Sequence, residues 1–350
     1  VRSQNVGLGN LLLDDIAFID EETHLRQKNT ELQFNDVLLN ITGASIGRSA
    51  LVDKQIVGGN VNQHVCIIRT NGNVEPSYIC DYIQTSKIQK YIQSLQTGGS
   101  REGLNFEQIR SFPINIPTVE EQVKIAKLLS LINERIATQS KLIEDLKKLK
   151  SAIIDYAINS HDTDFAKFGS LYETAGEGGT PTTSNASFYD NGKIPFIKID
   201  DLKKKYLTKN KDFITELGLQ KSSAWLVPTR SILFSNGATI GEITITTYPV
   251  CTKQGILGIV PKPNIDVEFL YYFMSSSYFK KAVSRIVTEG TMKTVYLKDI
   301  NNIRCPIPTK EKQLDIAKMP SALNSKIDFE QSILKLFGSQ KQYLLRQMFM

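Results

Sequence analysis

Few of the residues that usually build catalytic or metal sites occur in this sequence. Its 350 residues include 4 cysteines and 3 histidines. The cysteines, Cys66, Cys80, Cys251 and Cys305, lie far apart and without CxxC spacing, which is typical of reduced, buried thiols. We therefore expect no disulfide framework, no metal site and a cytoplasmic location.

Several functional motifs are absent as well. The sequence has no GxxxxGK[ST] phosphate loop, no Gly-rich nucleotide fingerprint after a strand, no HExxH and no Asn/Asp-Pro-Pro-Tyr element. No apolar run approaches the ~20 residues that a membrane span needs. The chain is thus expected not to hydrolyse ATP, not to carry an amino-methyltransferase site and not to enter a membrane.

Charge is present but moderate. The formal net charge is +6, which is compatible with nucleic-acid binding but is a weak signal alone. Asp200 and Asp201, followed by Lys203, resemble part of a metal nuclease site, and Glu21 with Glu22 forms another acidic pair. Solvated loops are the simpler interpretation of both pairs.

An internal repeat decides the architecture. Residues 37–47 (VLLNITGASIG) match 231–241 (SILFSNGATIG) at an offset of 194, and 62–68 match 253–259 at an offset of 191. The same 191 offset relates 116–118 (IPT) to 307–309 (IPT). Each copy is therefore predicted to be one globular unit followed by the same kind of C-terminal element.

That C-terminal element is a long helix, predicted over 120–158 and again over 311–349, with Thr118 and Thr309 as N-caps. At ~1.5 Å per residue each helix spans roughly 60 Å. Apolar residues recur in the first helix at alternating steps of three and four, which predicts a packed partner helix; they are Ile125, Leu129, Ile132, Ile136, Ile143, Leu146, Ile153 and Ala157. Pro320 predicts either a kink near Met319 or a helix that begins there.

The predicted fold class is α+β. Short strands are expected at 37–41, 65–68, 231–234, 243–247 and 256–260, with helices at 78–95 and 267–287. The predicted segments are a first domain at 1–119, a spacer helix at 120–160, a second domain at 161–309 and a C-terminal helix at 310–350. The second copy carries 168–196 ahead of 197–201 (IKIDD), whereas the first opens directly at 1–5 (VRSQN). We therefore expect a missing front end in the first copy.

Candidate ligand contacts lie in polar loops. The turns at 42–47 and 236–241 can cradle a phosphate, although a structural turn is the simpler interpretation, and the same applies to 178–181 (GGTP). The corresponding loops at 97–103 and 288–293 each carry a cation and hydroxyl groups, which suit DNA phosphates and base edges. The candidate DNA contacts are Thr42, Ser45, Arg48, Asn62, Gln63, Ser100, Arg101, Lys198, Lys203, Lys204, Lys205, Asn236, Thr239, Lys253, Gln254, Thr291 and Lys293.

A duplicated domain, a long helix after each copy and no evident active site together resemble the specificity subunit of type I restriction–modification enzymes. The resemblance covers nearly the whole chain. It rests on 178–181 (GGTP), the two glycine turns, the Ile-Pro-Thr helix starts and 343–349 (YLLRQMF). It implies two mixed α/β target-recognition domains, separated by long helices that form an antiparallel coiled coil.

The resemblance also implies a function and partners. Each domain would read half of a split double-stranded DNA target, and the chain would dock two methyltransferase subunits and, through them, restriction/translocase subunits. Those partners would use S-adenosylmethionine, ATP and Mg²⁺, whereas this chain would hold no cofactor and catalyse nothing. A specificity adaptor of a methylation-only phage-defence system, a structural coiled-coil adaptor and a nuclease are the alternatives.

Overall fold

The computed structural model describes residues 1–96, 103–159, 164–237, 239–287 and 293–349. The strands are β1 Val37–Asn40, β2 Ser49–Leu51, β3 Val65–Ile68, β4 Phe165–Lys167, β5 Tyr172–Glu177, β6 Ile194–Ile197, β7 Tyr206–Leu207, β8 Asp212–Ile214, β9 Ile232–Ser235, β10 Ile243–Thr246, β11 Cys251–Thr252, β12 Ile256–Pro261 and β13 Arg304–Pro306. The helices are α1 Glu21–Arg26, α2 Pro76–Ile83, α3 Ser86–Ser94, α4 Phe106–Arg110, α5 Val119–Asn159, α6 Glu216–Gln220, α7 Val267–Ser275, α8 Ser277–Ile286, α9 Leu297–Ile300 and α10 Lys310–Met348.

The chain divides into two compact units. Unit 1 comprises Val1–Leu142 and Glu330–Met350, and unit 2 comprises Ile143–Phe329. Our sequence-based division keeps the long helices as separate segments. In the structure each long helix is instead shared, so that one part of α5 and one part of α10 belong to each unit.

Both units are built on the same antiparallel frame of three strands. Its order is β2-β1-β3 in unit 1, and β10-β9-β12 form the same arrangement in unit 2. The N–H of Ile41 donates to the carbonyl of His64 over 3.0 Å, and the N–H of Asn236 donates to that of Gly255 over 3.0 Å. Residues of β1 are therefore equivalent to residues of β9 at an offset of 195. Our alignment at 194 is wrong by one in the strand, because the turn that follows is one residue shorter in unit 2.

Unit 2 extends this frame. Strands β5 and β7 lie at the two edges, which gives the order β5-β12-β9-β10-β7. A second sheet has the order β11-β6-β8, and β13 pairs with β4. The apolar runs of the central strands were predictable, whereas the edge strands β5 and β7 carry polar or mixed residues and gave no alternating signal.

One pair of helices covers the frame in each unit. We predicted that short helices fill 78–95 and 267–287, and the structure has two in each range, α2 and α3 in unit 1 and α7 and α8 in unit 2. Thr85 and Ser276, which are equivalent at the 191 offset, are the N-caps of the second helices. Their hydroxyls accept the N–H of Ile88 (3.4 Å) and Phe279 (3.2 Å). A capping hydroxyl restarts a helix where the chain turns, and this signal was readable in the sequence.

Aromatic residues fill the core of unit 2 between the sheet and α7 and α8. Phe279 is fully buried, with ring centroids 5.4 Å from Phe273, 5.6 Å from Phe168 and 6.1 Å from Phe234. In unit 1, Tyr78 and Tyr82 take a comparable place beneath β1. Such offset and edge-on ring pairs stabilise a core beyond their buried area.

The long helices begin and end within one residue of the predicted bounds. The Thr118 hydroxyl accepts the N–H of Glu121 (3.4 Å) and the Thr309 hydroxyl accepts that of Lys312 (3.5 Å), so both predicted N-caps are confirmed. Pro320 lies inside α10, and the alternative in which the helix begins near Met319 is wrong. None of the described helices is both long and apolar enough to cross a membrane.

Within unit 1, α5 packs against α10 in antiparallel fashion. Leu129 shares a buried cluster with Leu345, whereas further along α5 the Gln139 amide donates to the Glu330 carbonyl over 3.1 Å. Residues later in α5 thus contact residues earlier in α10, as expected of antiparallel helices. This confirms the predicted partner helix.

The same arrangement holds within unit 2. Lys150 Nζ donates to Asn324 Oδ1 over 3.0 Å, and Ile158 shares a cluster with Ile316 and Ala317. The polar residues that interrupt the apolar seam, Gln139 and Lys150, are therefore paired across it rather than left without partners.

We predict that Phe279→Ala destabilises unit 2 by about 3–5 kcal/mol, because it removes a ring that contacts three others and leaves a cavity. The sequence has 1 tryptophan, Trp225 of unit 2, so its fluorescence during denaturant unfolding measures this unit. The control is Phe329→Ala, an exposed residue (59% exposed) expected to change stability by less than about 0.5 kcal/mol. Equal effects of the two substitutions would contradict the packing described.

Candidate nucleic-acid interface

Three loops meet at one end of the three-stranded frame in each unit, and we call this region the loop end. In unit 1 it comprises residues 41–48, 62–64 and 103–104, and in unit 2 residues 236–237, 239–242, 253–255 and 293–295. The backbone of Leu104 donates to Ile41 (2.8 Å), and that of Val295 donates to Asn236 (2.9 Å). The duplicated frame therefore presents equivalent loops at equivalent places.

The last glycine of each turn has a structural role. Gly47 and Gly241 have φ values of 82° and 103°, a region that favours glycine. Their N–H groups donate to the carbonyls of Asn40 (2.9 Å) and Ser235 (3.0 Å). Because these N–H groups are already bonded to the preceding strand, they do not face an anion. At these two glycines the structure supports the tight turn, and phosphate binding by the other N–H groups of the turns stays a prediction.

The unit 1 candidates lie together at its loop end. The Thr42 hydroxyl is 2.7 Å from Nδ1 of His64, and the Ser45 hydroxyl accepts from Asn40 over 3.1 Å. The Asn62 side chain accepts the N–H of His64 over 3.1 Å. Arg48 and Gln63 are exposed. The loop end of unit 1 thus offers one exposed cation, one exposed amide and several hydroxyl or amide groups.

The unit 2 candidates divide into exposed and buried residues. Thr239, Lys253, Gln254 and Lys293 are exposed. Asn236 is buried, and its amide donates to the carbonyl of Val295 over 3.1 Å, so its side chain supports the loop and is removed from the candidate contacts. The loop end of unit 2 carries two exposed cations.

Three candidates, Ser100, Arg101 and Thr291, lie outside the described residues. Their loops adjoin the loop ends in sequence, since Gly103 pairs with Thr42 and Lys293 is two residues before Val295.

The lysine candidates of unit 2 outside its loop end are partly engaged in ion pairs. Lys198 lies 2.7 Å from Asp212 and Lys203 lies 2.8 Å from Asp200, and all four are at least partly exposed. Exposed pairs of this kind contribute little to stability and can exchange for phosphate. Lys204 is exposed as well. These lysines stay candidates for phosphate contact.

The sequence analysis missed the counterpart of Lys198 in unit 1. Arg2 lies 3.0 Å from Asp15, as Lys198 lies beside Asp212. The N–H groups of Arg2 and Lys198 each donate over 2.9 Å to the side chain three residues on. The sequence analysis placed 1–5 opposite 197–201, and in this alignment Arg2 is the residue equivalent to Lys198. The alignment alone was therefore sufficient to identify Arg2 as a candidate.

Lys205 is a candidate DNA contact that the structure contradicts. Its side chain is 3% exposed and forms an ion pair with Glu268. Its amine also donates to Tyr272 Oη (2.9 Å) and Ser321 Oγ (2.9 Å). Extended chain alternates its faces, so Lys205 points inward where Lys204 points outward. Lys205 is therefore a buried link between β7, α7 and α10, not a phosphate contact.

Two tyrosine rings lie beside the Lys205 amine, of which Tyr272 is buried and Tyr206 is exposed. The Lys205 amine lies 4.7 Å from the ring centroid of Tyr272 and 4.9 Å from that of Tyr206. Burial raises the pKa of Tyr272 to about 12. Burial, together with a hydrogen bond to Glu268, raises the pKa of Tyr206. Both phenols therefore stay protonated near neutral pH and serve as hydrogen-bond donors.

The acidic pairs do not assemble a metal centre. Asp200 is paired with Lys203, and Asp201 accepts the N–H of Lys198. Glu22 pairs with Arg26 along α1. In the part of the chain that the structure describes, no group of three His, Cys, Asp or Glu side chains is placed to hold a metal ion. Asp200, Asp201 and Glu22 therefore act in surface ion pairs or as a cap.

Close packing explains the Gly-Gly-Thr-Pro segment of unit 2. A Cβ on Gly178 would lie 2.2 Å from the Thr252 carbonyl oxygen. The Thr180 hydroxyl accepts the N–H of Gln254 over 3.3 Å, and the Glu177 side chain accepts that of Gly255 over 2.9 Å. The segment thus shapes the 253–255 loop of the loop end, in agreement with the structural interpretation.

Comparison with known families accounts for this duplicated arrangement. The sequence model for the type I restriction modification DNA specificity domain matches residues 9–148 and again residues 162–336. The chain belongs to this family. Its two specificity domains coincide with the two halves of the internal repeat.

Relatives of these specificity domains include named subunits. The chain is 26% identical over 290 residues to a putative type I restriction enzyme MjaX specificity subunit of Methanocaldococcus jannaschii, covering 76% of this chain and 66% of that protein. It is 22% identical over 343 residues to the HindI specificity subunit of Haemophilus influenzae, covering 76% and 74%. The fold is similar to the crystal structure of a type I system S subunit from M. genitalium, with a TM-score of 0.57 and 17% identity over 92% of this chain and 85% of that one.

For the loop end of the second specificity domain we predict that Lys253→Ala with Lys293→Ala lowers the salt dependence of duplex DNA binding. Each lost phosphate contact reduces the slope of log K against log salt by ~0.9, so the pair should reduce it by ~2. Fluorescence anisotropy at several salt concentrations measures the slope. Lys148→Ala with Lys318→Ala removes two exposed helix cations as a control. If the control pair lowers the slope equally, the loop end is not the contact surface.

Proposed function

We propose that this chain is the DNA specificity subunit of a type I restriction–modification complex. Each unit reads one half of a split double-stranded DNA target through its loop end. The observation that carries the proposal is the duplication itself, in which two equivalent frames present equivalent loops while each also holds part of both long helices.

The chemistry of the loop ends supports DNA as the ligand. Exposed cations such as Arg48 and Lys253 suit phosphates, and exposed amides and hydroxyls such as Gln63, Gln254 and Thr239 suit base edges. With two readers the specificity is a sum of two half-site free energies, in which a wrong base pair costs ~1–3 kcal/mol. Differences between the two sets of side chains favour different half-sites.

The long helices would set the spacer between the half-sites. An uninterrupted helix of 41 residues spans roughly 60 Å, and a paired helix is stiffer than a single one. The seam residues that join α5 to α10 in each unit support a fixed length. The accepted spacer is then a property of the helices, and the bases recognised are a property of the loops.

Two methyltransferase subunits are the proposed direct partners, and restriction/translocase subunits bind through them. The long helices leave apolar side chains exposed in both units, among them Leu131 and Leu336 in unit 1 and Leu149 and Phe329 in unit 2. Exposed apolar residues on a helix pair are suited to further helices. One such surface for each unit supports two partners.

The chain itself is proposed to be non-catalytic. S-adenosylmethionine, ATP and Mg²⁺ are used by the partner subunits, and this chain holds none of them. The engagement of Asp200 and Asp201 in a surface ion pair and a cap supports this assignment over a nuclease. A methylation-only defence system stays the alternative, and it differs in the partners rather than in this chain.

Methylome sequencing of cells with and without this chain tests the proposal. We expect adenine methylation at one split motif to disappear when the chain is deleted, because its loss removes the DNA reader from the methyltransferase. Restoring the gene should restore the motif. An unchanged methylome would overturn the proposal, and phage plating in the same strains separates a restricting system from a methylation-only one.

We further predict that inserting seven residues after Leu142 in α5 and seven after Phe329 in α10 lengthens the accepted spacer. One heptad adds ~10 Å of helix, or about three base pairs. The methylome should show the same half-sites at a longer spacing. An insertion in α5 alone serves as the control, because it breaks the register of the helix pair. A change in the half-sites themselves would contradict the separation of reader and spacer.

A further inference from the structure

One buried glutamine stands at the start of each long helix. Gln122 of α5 is 0% exposed and Gln313 of α10 is 1% exposed. They are equivalent at the 191 offset, and each lies four residues after the N-cap threonine. Buried glutamines are uncommon because every polar atom of the amide then needs a partner.

Both side chains make the same three hydrogen bonds. Gln122 Oε1 accepts the N–H of Glu75 (2.8 Å), and its Nε2 donates to the carbonyls of Pro117 (2.9 Å) and Asn73 (3.5 Å).

In unit 2, Gln313 Oε1 accepts the N–H of Asp266 (2.7 Å), and its Nε2 donates to the carbonyls of Pro308 (2.9 Å) and Asn264 (3.2 Å). The two sets of partners are related throughout by the 191 offset. The arrangement is therefore retained in both copies although most of their side chains differ.

These contacts join three separate elements. The glutamine belongs to the first turn of the long helix, Pro117 and Pro308 belong to the turn before it, and residues 73–75 and 264–266 belong to the loops that lead into α2 and α7. The amide orientation is fixed, because Oε1 faces an N–H and Nε2 faces two carbonyls. The long helix is thus tied to the body of its unit at a definite direction.

We propose that Gln122 and Gln313 are positioning residues that fix the direction in which each spacer helix leaves its DNA-reading unit, and thereby the spacer length that the subunit accepts. This inference rests on the proposed function. A helix of about 60 Å amplifies small changes at its start, since a tilt of about 5° moves its far end by about 5 Å, more than the ~3.4 Å rise of one base pair.

The test compares spacer preference in variants of the full chain assembled with its methyltransferase subunits. Gln122→Met and Gln313→Met keep the side-chain length but remove all three hydrogen bonds. The measured quantity is the ratio of affinities for the native target, taken from the methylome, and for targets with the spacer one base pair longer or shorter. We expect this ratio to fall about fivefold, the factor that corresponds to roughly one hydrogen bond, while preference for the half-site bases is retained.

Thr85→Ala and Ser276→Ala are the matched controls. Each removes a buried helix cap from the same unit at a cost similar to that of the lost amide bonds, yet neither hydroxyl contacts the start of a long helix. These variants should lose stability and keep the wild-type spacer ratio. If the glutamines have only a structural role, the glutamine variants and the cap variants should show the same spacer ratio. That result would overturn the inference.

A second variant covers the possibility that Gln122→Met does not fold. Glu75 has φ −69° and ψ 118°, values that proline adopts, so Glu75→Pro removes the N–H that Gln122 accepts. It also removes the carboxylate that accepts from the Ser77 hydroxyl over 2.6 Å, and Ser77→Ala, which loses that contact alone, is its control and should keep the wild-type ratio. Glu75→Pro should lower the spacer ratio in the same direction as the glutamine variants. If the wild-type complex shows no preference for spacer length, the proposed function and this inference are both overturned. If the wild-type complex shows a preference and Glu75→Pro and both glutamine variants keep it, the inference alone is overturned.

Discussion

The apolar seam along each long helix is the constraint on which the rest of this structure depends. A helix of about 40 residues with apolar side chains at alternating steps of three and four cannot leave them in water, and it needs a second helix of similar length. Duplication supplies that second helix from the same chain. Because the two helices run antiparallel within each unit, each unit is completed by the helix that begins in the other copy, as Leu345 and Phe349 complete the core around Leu129.

Features encoded locally were predictable from the sequence. The bounds of both long helices were predicted to within one residue from the apolar seam, the Ile-Pro-Thr starts and the threonine caps. The central strands were predicted from their apolar runs. The resemblance to specificity subunits came from the order of short motifs rather than from any one of them. Local signals agree with the fold in these segments, which is where sequence reasoning is most reliable.

Features that depend on tertiary contacts were not predictable. The alignment of β1 with β9 was misplaced by one residue because it followed the glycines of the turns. The backbone hydrogen bonds show instead that Ile41, which bonds to His64, is equivalent to Asn236, which bonds to Gly255. Lys205 was assigned to the surface because it directly follows Lys203 and Lys204, yet Glu268 and Ser321, distant in sequence, form a polar site in which it is buried. Lysine burial of this kind depends on partners that no local pattern identifies.

The division between frame and loop separates the positions that the two copies share from the positions that differ. Positions retained in both copies, such as Gly47 with Gly241, Thr85 with Ser276 and Gln122 with Gln313, all serve backbone geometry. Positions that differ, such as Arg48 with Glu242, lie exposed or half-exposed at the loop ends. If the frame fixes where side chains are presented while the loops vary freely, new DNA specificities can arise without altering the helices. Under the proposed function, the same separation requires rigid joints between reader and spacer, since a loose joint would allow variable spacing between two half-sites that are each read correctly.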